Sequence, residues 1–454
     1  MRVAVVGGGI SGLAAAYRLA ASGASPVVFE ASNRLGGVIS TRRTDGWLME
    51  GGPDSFLSKE GIAELCASLG VETIGVRPGF GRSFIVRGRR LLPIPQGLYL
   101  MAPSAIRPFM RSPVVSPLGK LRMGLDMVLP ARSSDADESL ASFVRRRLGR
   151  EALERVAQPM IGGIYSADPE RLSLAATQPQ FLEMERRHGS VIRALMARKT
   201  QASGARYNLF LTPRHGMQTV VDALAGSLPE VRRSTAVTTL TLPSAAAAGE
   251  GCSVNGEGFD GVCVCMPAPD AARLLPELPW PALTYTSMAT VNFGFHRDQV
   301  RHALDGAGAV VPAVEGRSLV ACTFSSSKFE GRAPEGHVLL RAFVGGALAP
   351  AALARSDEEL AAAALADLRE LLTISGEPVE TFVTRMPDSM PQYEVGHLER
   401  LAAFERALAD VPCLEVAGNG ACGVGVPDCI ASGLAAADRL LADAPALVGT
   451  PMAE

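Results

Sequence analysis

The chain has 454 residues, enough for two or three domains with sizeable cores. Hydrophobic residues make up 47% and charged ones 20%, with a net charge of -2, which excludes a disordered chain and leaves no global basic footprint for nucleic acid. No stretch reaches the about 18 uninterrupted apolar residues of a spanning helix.

Val3 to Val6 is a short apolar, β-branched run that suits a buried strand of a parallel sheet. Arg2 is followed at once by this strand, so no leader peptide is expected. Gly7, Gly9 and Gly12 form G-x-G-x-x-G, and an alanine-rich helix pattern runs on to Ala20. Val27 to Phe29 is a second strand, closed by Glu30. At this spacing the elements form a βαβ dinucleotide site: glycines for a tight turn and close backbone approach, a helix N-terminus facing the phosphates. Glu30 can accept both ribose hydroxyls, which argues against a 2′-phosphate and leaves FAD or NAD. Arg34, Gly36 and Gly37 extend the motif, and Glu50-Gly51-Gly52-Pro53 follows a hairpin pattern. This extension resembles FAD-dependent amine oxidases and their relatives, not nicotinamide dehydrogenases.

Gly61 to Leu69 carries a helix pattern, and Arg82 to Val86 reads as a strand turning at Arg87 to Arg90. Tyr99 to Arg132 is apolar, proline-punctuated and basic, with Asp126 its single acid, a composition that suits either a membrane surface or a helical subdomain. Asp137 to Leu148 reads as a helix stopped by Gly149. In Pro159 to Asp168 the pair Gly162-Gly163 is expected to break helix and admit a flat ligand. Gly216-Met217 opens a helix, and Val231 to Leu242, which includes Val237, and Gly261 to Met266 are expected to return as strands to the first sheet. Phe293 to Phe295 and Val338 to Val344 alternate like strands of a second sheet. Ser356 to Glu359 is a capping box. Leu414 to Gly433 again reads strand, glycine loop, helix start, so one cofactor is expected to be held at both ends. The eight cysteines show no CxxC pair, no His/Cys cluster has zinc spacing, and small buried thiols in a reducing cytosol are expected.

The blocks GGGISGLAAAY, ASNRLGGVIS, GGPDSF, RRLGREAL, GGIYSADPERLSL, PQYEVGHLER and GVGVPDCI resemble the protoporphyrinogen oxidases, FAD enzymes of haem synthesis related to amine oxidases and phytoene desaturases. The resemblance implies an α/β fold: a discontinuous Rossmann-like FAD-binding domain (1–68, 211–272, 406–454), a mixed-sheet substrate domain (69–98, 186–210, 273–405) and a helical, membrane-facing domain (99–185). It implies oxidation of protoporphyrinogen IX by dioxygen with peroxide as product, in a cytoplasmic protein peripherally attached to a membrane surface. By motif, Gly7, Gly8, Gly9, Ile10, Ser11, Gly12, Glu30, Ala31 and Arg34 would hold adenosine and pyrophosphate. Val38, Gly52, Pro53, Asp54 and Ser55 would lie along the flavin, Val237 on the adenine side, and Asn419, Val424, Gly425 and Val426 at the ring and ribityl region. Met386 stands where some relatives carry an aromatic beside the flavin. Arg82 matches an arginine that pairs with a substrate propionate; in the reaction, the Gly162-Gly163 carbonyls are expected to assist an imine form of the substrate. The family phenylalanine that stacks on a pyrrole is Ala307 here, in the segment holding Val310, with Phe343 as its substitute. No general base stands out, and the aromatic pair and lysine of an amine oxidase are not evident. Coproporphyrinogen III oxidation and a non-catalytic flavin-binding protein are the alternatives. Association with other haem-pathway enzymes and a homodimer stay open.

Overall fold

The computed structural model describes residues 1–59, 61–197, 210–243, 251–420 and 423–447. Five parallel strands form the first sheet, in the order Glu230–Arg232, Ser25–Phe29, Arg2–Val6, Gly261–Val264 and Leu414–Val416. The three middle strands are almost entirely buried, as continuous β-branched runs in a parallel sheet must be. Three distant parts of the chain therefore build one sheet. Helix Ile10–Ala21 crosses the last long helix, Val426–Leu447, where a Cβ on Gly433 would lie 2.1 Å from the Ser11 carbonyl oxygen. Only glycine permits that approach.

The second sheet has seven strands, ordered Glu380–Gln392, Thr284–His296, His337–Gly345, Leu319–Thr323, Gly308–Val310, Ser83–Arg87 and Arg90–Pro93. It is mixed, because Gly308–Val310 runs parallel to Ser83–Arg87 while the other pairs are antiparallel. Period-two alternation sends Val291, Phe293, Leu340, Ala342 and Val344 to one face, where helix Asp357–Leu372 covers them with Leu360, Leu365, Leu368 and Leu372. That helix opens on the expected capping box: Ser356 Oγ accepts from Glu359 N–H at 3.3 Å, and Glu359 accepts from Ser356 N–H at 2.8 Å. The opposite face carries Thr290, Asn292 and Arg341, which bind the backbone of residues 50–52.

Short helices between Ile106 and Ala197 pack as a third unit around Phe109, Phe143, Val156 and Phe181. Fully buried Arg147 and Asp126 tie it together. Arg147 Nε donates to Asp126 Oδ1 at 2.6 Å, while Nη2 donates to the carbonyls of Asp126 and Gly189 at 2.7 Å each. Asp126 Oδ2 also accepts from Ser190 Oγ at 2.6 Å and Ile192 N–H at 2.9 Å.

Three expectations are corrected. Gly162-Gly163 does not break helix: Gln158–Tyr165 runs through both glycines and reverses at Ser166, whose φ is 50°. Burial of Ile161 in the core outweighs a glycine cost of about 1 kcal/mol per position. The helix expected from Asp137 starts at Leu140, capped by Ser139, because Asp137 instead accepts from Ser173 Oγ at 2.7 Å and Gly396 N–H at 3.1 Å. Of Val231 to Leu242, only Val231 and Arg232, in strand Glu230–Arg232, join the first sheet; Leu240–Thr241 pairs with Cys252–Val254 in a small separate sheet, and Val237 lies in the connecting loop.

Candidate active site

The nucleotide end is built on the first strand–helix turn. Gly7 has φ 112° and donates its N–H to Phe29 O at 2.8 Å, and a Cβ on Gly12 would lie 1.9 Å from Gly7 O. A Cβ on Gly9 meets nothing within 4 Å, and no side chain caps the helix that starts at Ile10. The result is an open cradle at a helix N-terminus, fit for a pyrophosphate. Glu30 accepts Gly8 N–H at Oε2 and Ser32 N–H at Oε1, both at 2.8 Å, which fixes the carboxylate and leaves lone pairs for ribose hydroxyls. Ala31 follows it at the exposed rim. Ser234 and Thr235 N–H donate to the Ser32 and Glu30 carbonyls at 2.8 Å each, bringing the Val237 loop to that edge. Arg34 turns inward on its own loop: it donates to Ile39 O at 2.9 Å and to Gly37 O, bracing the Gly36-Gly37 turn that bridges to Gly9.

At the other end, Gly418 N–H donates to Ser432 Oγ at 3.1 Å, Asn419 Nδ2 donates to Ser389 O at 3.2 Å, and Tyr393 donates its hydroxyl to Asn419 O. Gly425 precedes the helix start at Val426, and Val424 packs near Tyr165 and Tyr285. Ala421 and Cys422 lie outside the described residues.

Between the two ends, Glu50 to Ser55 runs over the open face of the second sheet. Thr290 Oγ1 donates to Gly51 O at 2.8 Å, Asn292 Nδ2 to Glu50 O at 3.0 Å, and Arg341 Nη2 to Gly52 O. All three donors are buried. Cβ atoms on Gly51 and Gly52 would lie 2.3 Å from Ser40 Oγ and 1.9 Å from Val38 O, so the segment also sits tight against the turn holding half-exposed Val38. Sequence reading missed Thr290, Asn292 and Arg341. Their signal was polar residues at alternate positions of otherwise apolar strands, in Thr290-Val291-Asn292 and Leu340-Arg341-Ala342.

Glu50 itself is buried and accepts from Thr41 Oγ1 at 2.7 Å and Met217 N–H at 2.9 Å. Burial pushes its carboxyl up to about 7, against the opposing effect of those hydrogen bonds and of Arg332 and Arg341. Asp54 behaves oppositely. Burial would raise it, but Lys328 and Arg341 more than offset that and hold it below the usual carboxylate range. Lys328 Nζ stands 3.1 Å from both Asp54 oxygens and from Ser55 Oγ. Pro53 is half-buried between Gly52 and this pair.

Across the open face, Ile85, Val310, Ala321, Phe343, Thr290 and Thr384 pair in register as one row over six strands. Val310, Ala321 and Phe343 are only half-buried. Gly163 stands opposite, with a Cβ there 4.0 Å from Val310 Cγ1. A small-residue helix and an apolar strand row thus face one another beside the Gly51-Gly52 strap. Met386, half-buried, pairs with Met288 on the same sheet. Two positions fall outside this arrangement. Ala307 is buried, its backbone tied to Arg82 O and Phe324 N–H at 2.7 and 2.9 Å. Arg82, half-exposed at the sheet edge, is ion-paired with Asp305 and donates Nε–H to the Asp305 carbonyl at 2.6 Å.

Residues 10–441 match the model of the flavin-containing amine oxidoreductases. The chain belongs to that family. Within the family, it is 37% identical to the coproporphyrinogen III oxidase of Bacillus subtilis, over 97% of each chain. It is 30% identical to the mitochondrial protoporphyrinogen oxidase of Nicotiana tabacum, over 97% of this chain and 94% of that one. Its fold is similar to the crystal structure of a candidate protoporphyrinogen oxidase from Exiguobacterium sp. 255-15, with a TM-score of 0.86, 30% identity, and coverage of 97% and 99%. As a flavin-containing amine oxidoreductase the chain is an oxidoreductase with FAD as its cofactor. The Gly9 cradle, the fixed Glu30 and the second glycine loop fit that dinucleotide.

Proposed function

We propose that this chain is an FAD-dependent porphyrinogen oxidase of haem biosynthesis, converting protoporphyrinogen IX to protoporphyrin IX. Coproporphyrinogen III stands as an equal alternative substrate, favoured by the identity to the Bacillus subtilis enzyme. What carries the reading is the identity, over nearly the whole chain, to enzymes named for oxidation of coproporphyrinogen III and of protoporphyrinogen; the half-buried row of Val310, Ala321 and Phe343, with Gly163 in reach of Val310, supplies an apolar surface beside Gly51-Gly52. Such a surface suits a large, largely apolar macrocycle better than a small alkylamine, which would leave most of it wet.

Bound FAD supplies hydride acceptance at the isoalloxazine ring. Six electrons must leave the macrocycle, so three hydrides and three protons depart, and three molecules of dioxygen become three of hydrogen peroxide. The chain contributes positioning: the apolar row would align a meso carbon and keep water from it, while Thr290, Asn292 and Arg341 fix the backbone of residues 50–52. Asp54 is clamped as an ion-paired carboxylate and is unsuited to take a proton; pyrrole N–H groups release theirs to solvent. Domain division is proposed to follow the two sheets and the helical unit, with 1–68, 211–272 and 406–454 holding FAD.

We further propose peripheral membrane contact through the helical unit. Leu118, Leu121 and Val128 are 78%, 68% and 73% exposed, near exposed Ile106, Met110, Arg107 and Arg111. Apolar side chains among arginines suit an anionic bilayer surface. No helix among the described residues is long and apolar enough to cross a membrane.

Side-by-side fluorescence assays with coproporphyrinogen III and protoporphyrinogen IX test the reaction. One porphyrin formed per three peroxides from either substrate is the expected result; a FAD-loaded protein inert to both contradicts it.

A further inference from the structure

Beneath Gly51 to Ser55 lie more buried cations than carboxylates. Lys328, Arg332 and Arg341 are each at most 9% exposed. Facing them are Asp54 and Glu50, the first paired with Lys328 at 3.1 Å and with Arg341 at 3.9 Å. Arg332 is spent on the Arg214 and Pro213 carbonyls and Thr212 Oγ1, at 3.0 to 3.1 Å. Arg341 gives Nη2 to Gly52 O, but its Nε has no partner among the described residues. Asn292 Oδ1 and Thr384 Oγ1 are equally unpartnered, and Thr384 Oγ1 lies 2.8 Å from where a Cβ on Gly51 would be.

A self-sufficient structural ion pair requires no surplus charge. Burying an uncompensated cation, or a donor left without a partner, is costly. The surplus cation together with the unpaired Arg341 Nε–H donor along this segment points to an electron-rich occupant there. We propose that Lys328, Asp54 and Arg341 form a charge-positioning cluster for the flavin, whose net positive charge stabilises the negative charge that two-electron reduction places on the ring. The inference rests on the reading that Gly52 to Ser55 lie along the flavin. The charge balance is simple: a hydride brings two electrons and one proton, so the cofactor gains one negative charge while the substrate cation sheds a pyrrole proton to solvent. Lys328 and Arg341 act as positioning residues and take no proton. Asp54 sets how much of their charge is left over.

The test is the midpoint potential of bound FAD, measured anaerobically in the full chain against a reference dye during chemical reduction, with no porphyrinogen present. Lys328→Met is expected to lower the potential by at least tenfold in the reduction equilibrium, about 30 mV for a two-electron couple. Asp54→Asn should shift it the opposite way, and Lys328→Arg should restore the wild-type value. Should Lys328→Met fail to fold, Asp54→Asn alone decides. Potentials within twofold of wild type in FAD-loaded variants overturn the assignment. So does loss of FAD from variants that stay folded, which would make the cluster a structural support. Because reduction is chemical, inertness to porphyrinogens would overturn the proposed substrate without touching this result.

Discussion

Glu50 is the residue whose chemistry is most perturbed by its place in the fold. It sits beneath helix Gln218–Gly226, where Met217 N–H and Thr41 Oγ1 bind its two oxygens. Its folded value, about 7, lies above the usual 4.5, so the fold favours the protonated acid. The stability this contributes is complete below pH 4.5 and is lost as pH rises through 7. Wild type is therefore expected to lose up to about 3 kcal/mol between pH 5 and pH 8 from this group. Glu50→Gln, neutral throughout, should flatten that part of a pH series of urea denaturations. Parallel wild-type and Glu50→Gln curves would contradict it. Burial could not be read for Glu50 from sequence, since Glu-Gly-Gly-Pro marks a turn and says nothing of what covers it. Arg82 shows the converse: its guanidinium suits a propionate, but only the structure shows Asp305 already holding it.

At the scale of elements, the legible parts were local. The glycine fingerprint, the Glu30 strand end, the Ser356 capping box and the alternation of the second sheet all follow from backbone geometry over a few residues. What stayed hidden depends on contacts across more than two hundred positions, such as Thr290 with Gly51, Arg341 with Gly52 and Lys328 with Asp54. The helix through Gly162-Gly163 was misread because tertiary packing overrode propensity. Gly433 is a second case of a long-range reason for a residue that looks incidental. Gly433→Ala would drive a methyl into the Ser11 carbonyl and part the two helices that begin at the two glycine loops proposed to hold FAD. Overpacking of this kind costs about 1–3 kcal/mol, seen as a lower urea midpoint at unchanged slope, together with weaker FAD retention. An unchanged midpoint and full FAD occupancy would show that the helices separate freely. In the helical unit, Arg147→Leu leaves Asp126 buried without its guanidinium. A loss of about 3–5 kcal/mol is expected in the same assay, and a loss under 1 kcal/mol would show Asp126 satisfied without it.

Over the whole molecule, Glu50 to Ser55 lies along one face of the seven-stranded sheet, Gly163 of the helical unit stands opposite Val310, and that unit exposes an apolar, basic surface. On the proposed reading, the membrane contact and the substrate surface would lie on adjoining parts of the molecule, which suits a macrocycle partitioning into lipid. Leu118→Glu with Leu121→Glu should reduce sedimentation with anionic vesicles at least tenfold, since each leucine buried is worth about 1.5–3 kcal/mol, while leaving porphyrinogen turnover in detergent intact. Equal sedimentation of wild type and variant would place membrane contact elsewhere. The central claim, hydride removal from a porphyrinogen, is tested most directly by mixing FAD-loaded protein with either porphyrinogen in the absence of oxygen. Bleaching of the flavin absorbance by porphyrinogens and not by alkylamines is predicted; bleaching by amines alone would contradict it.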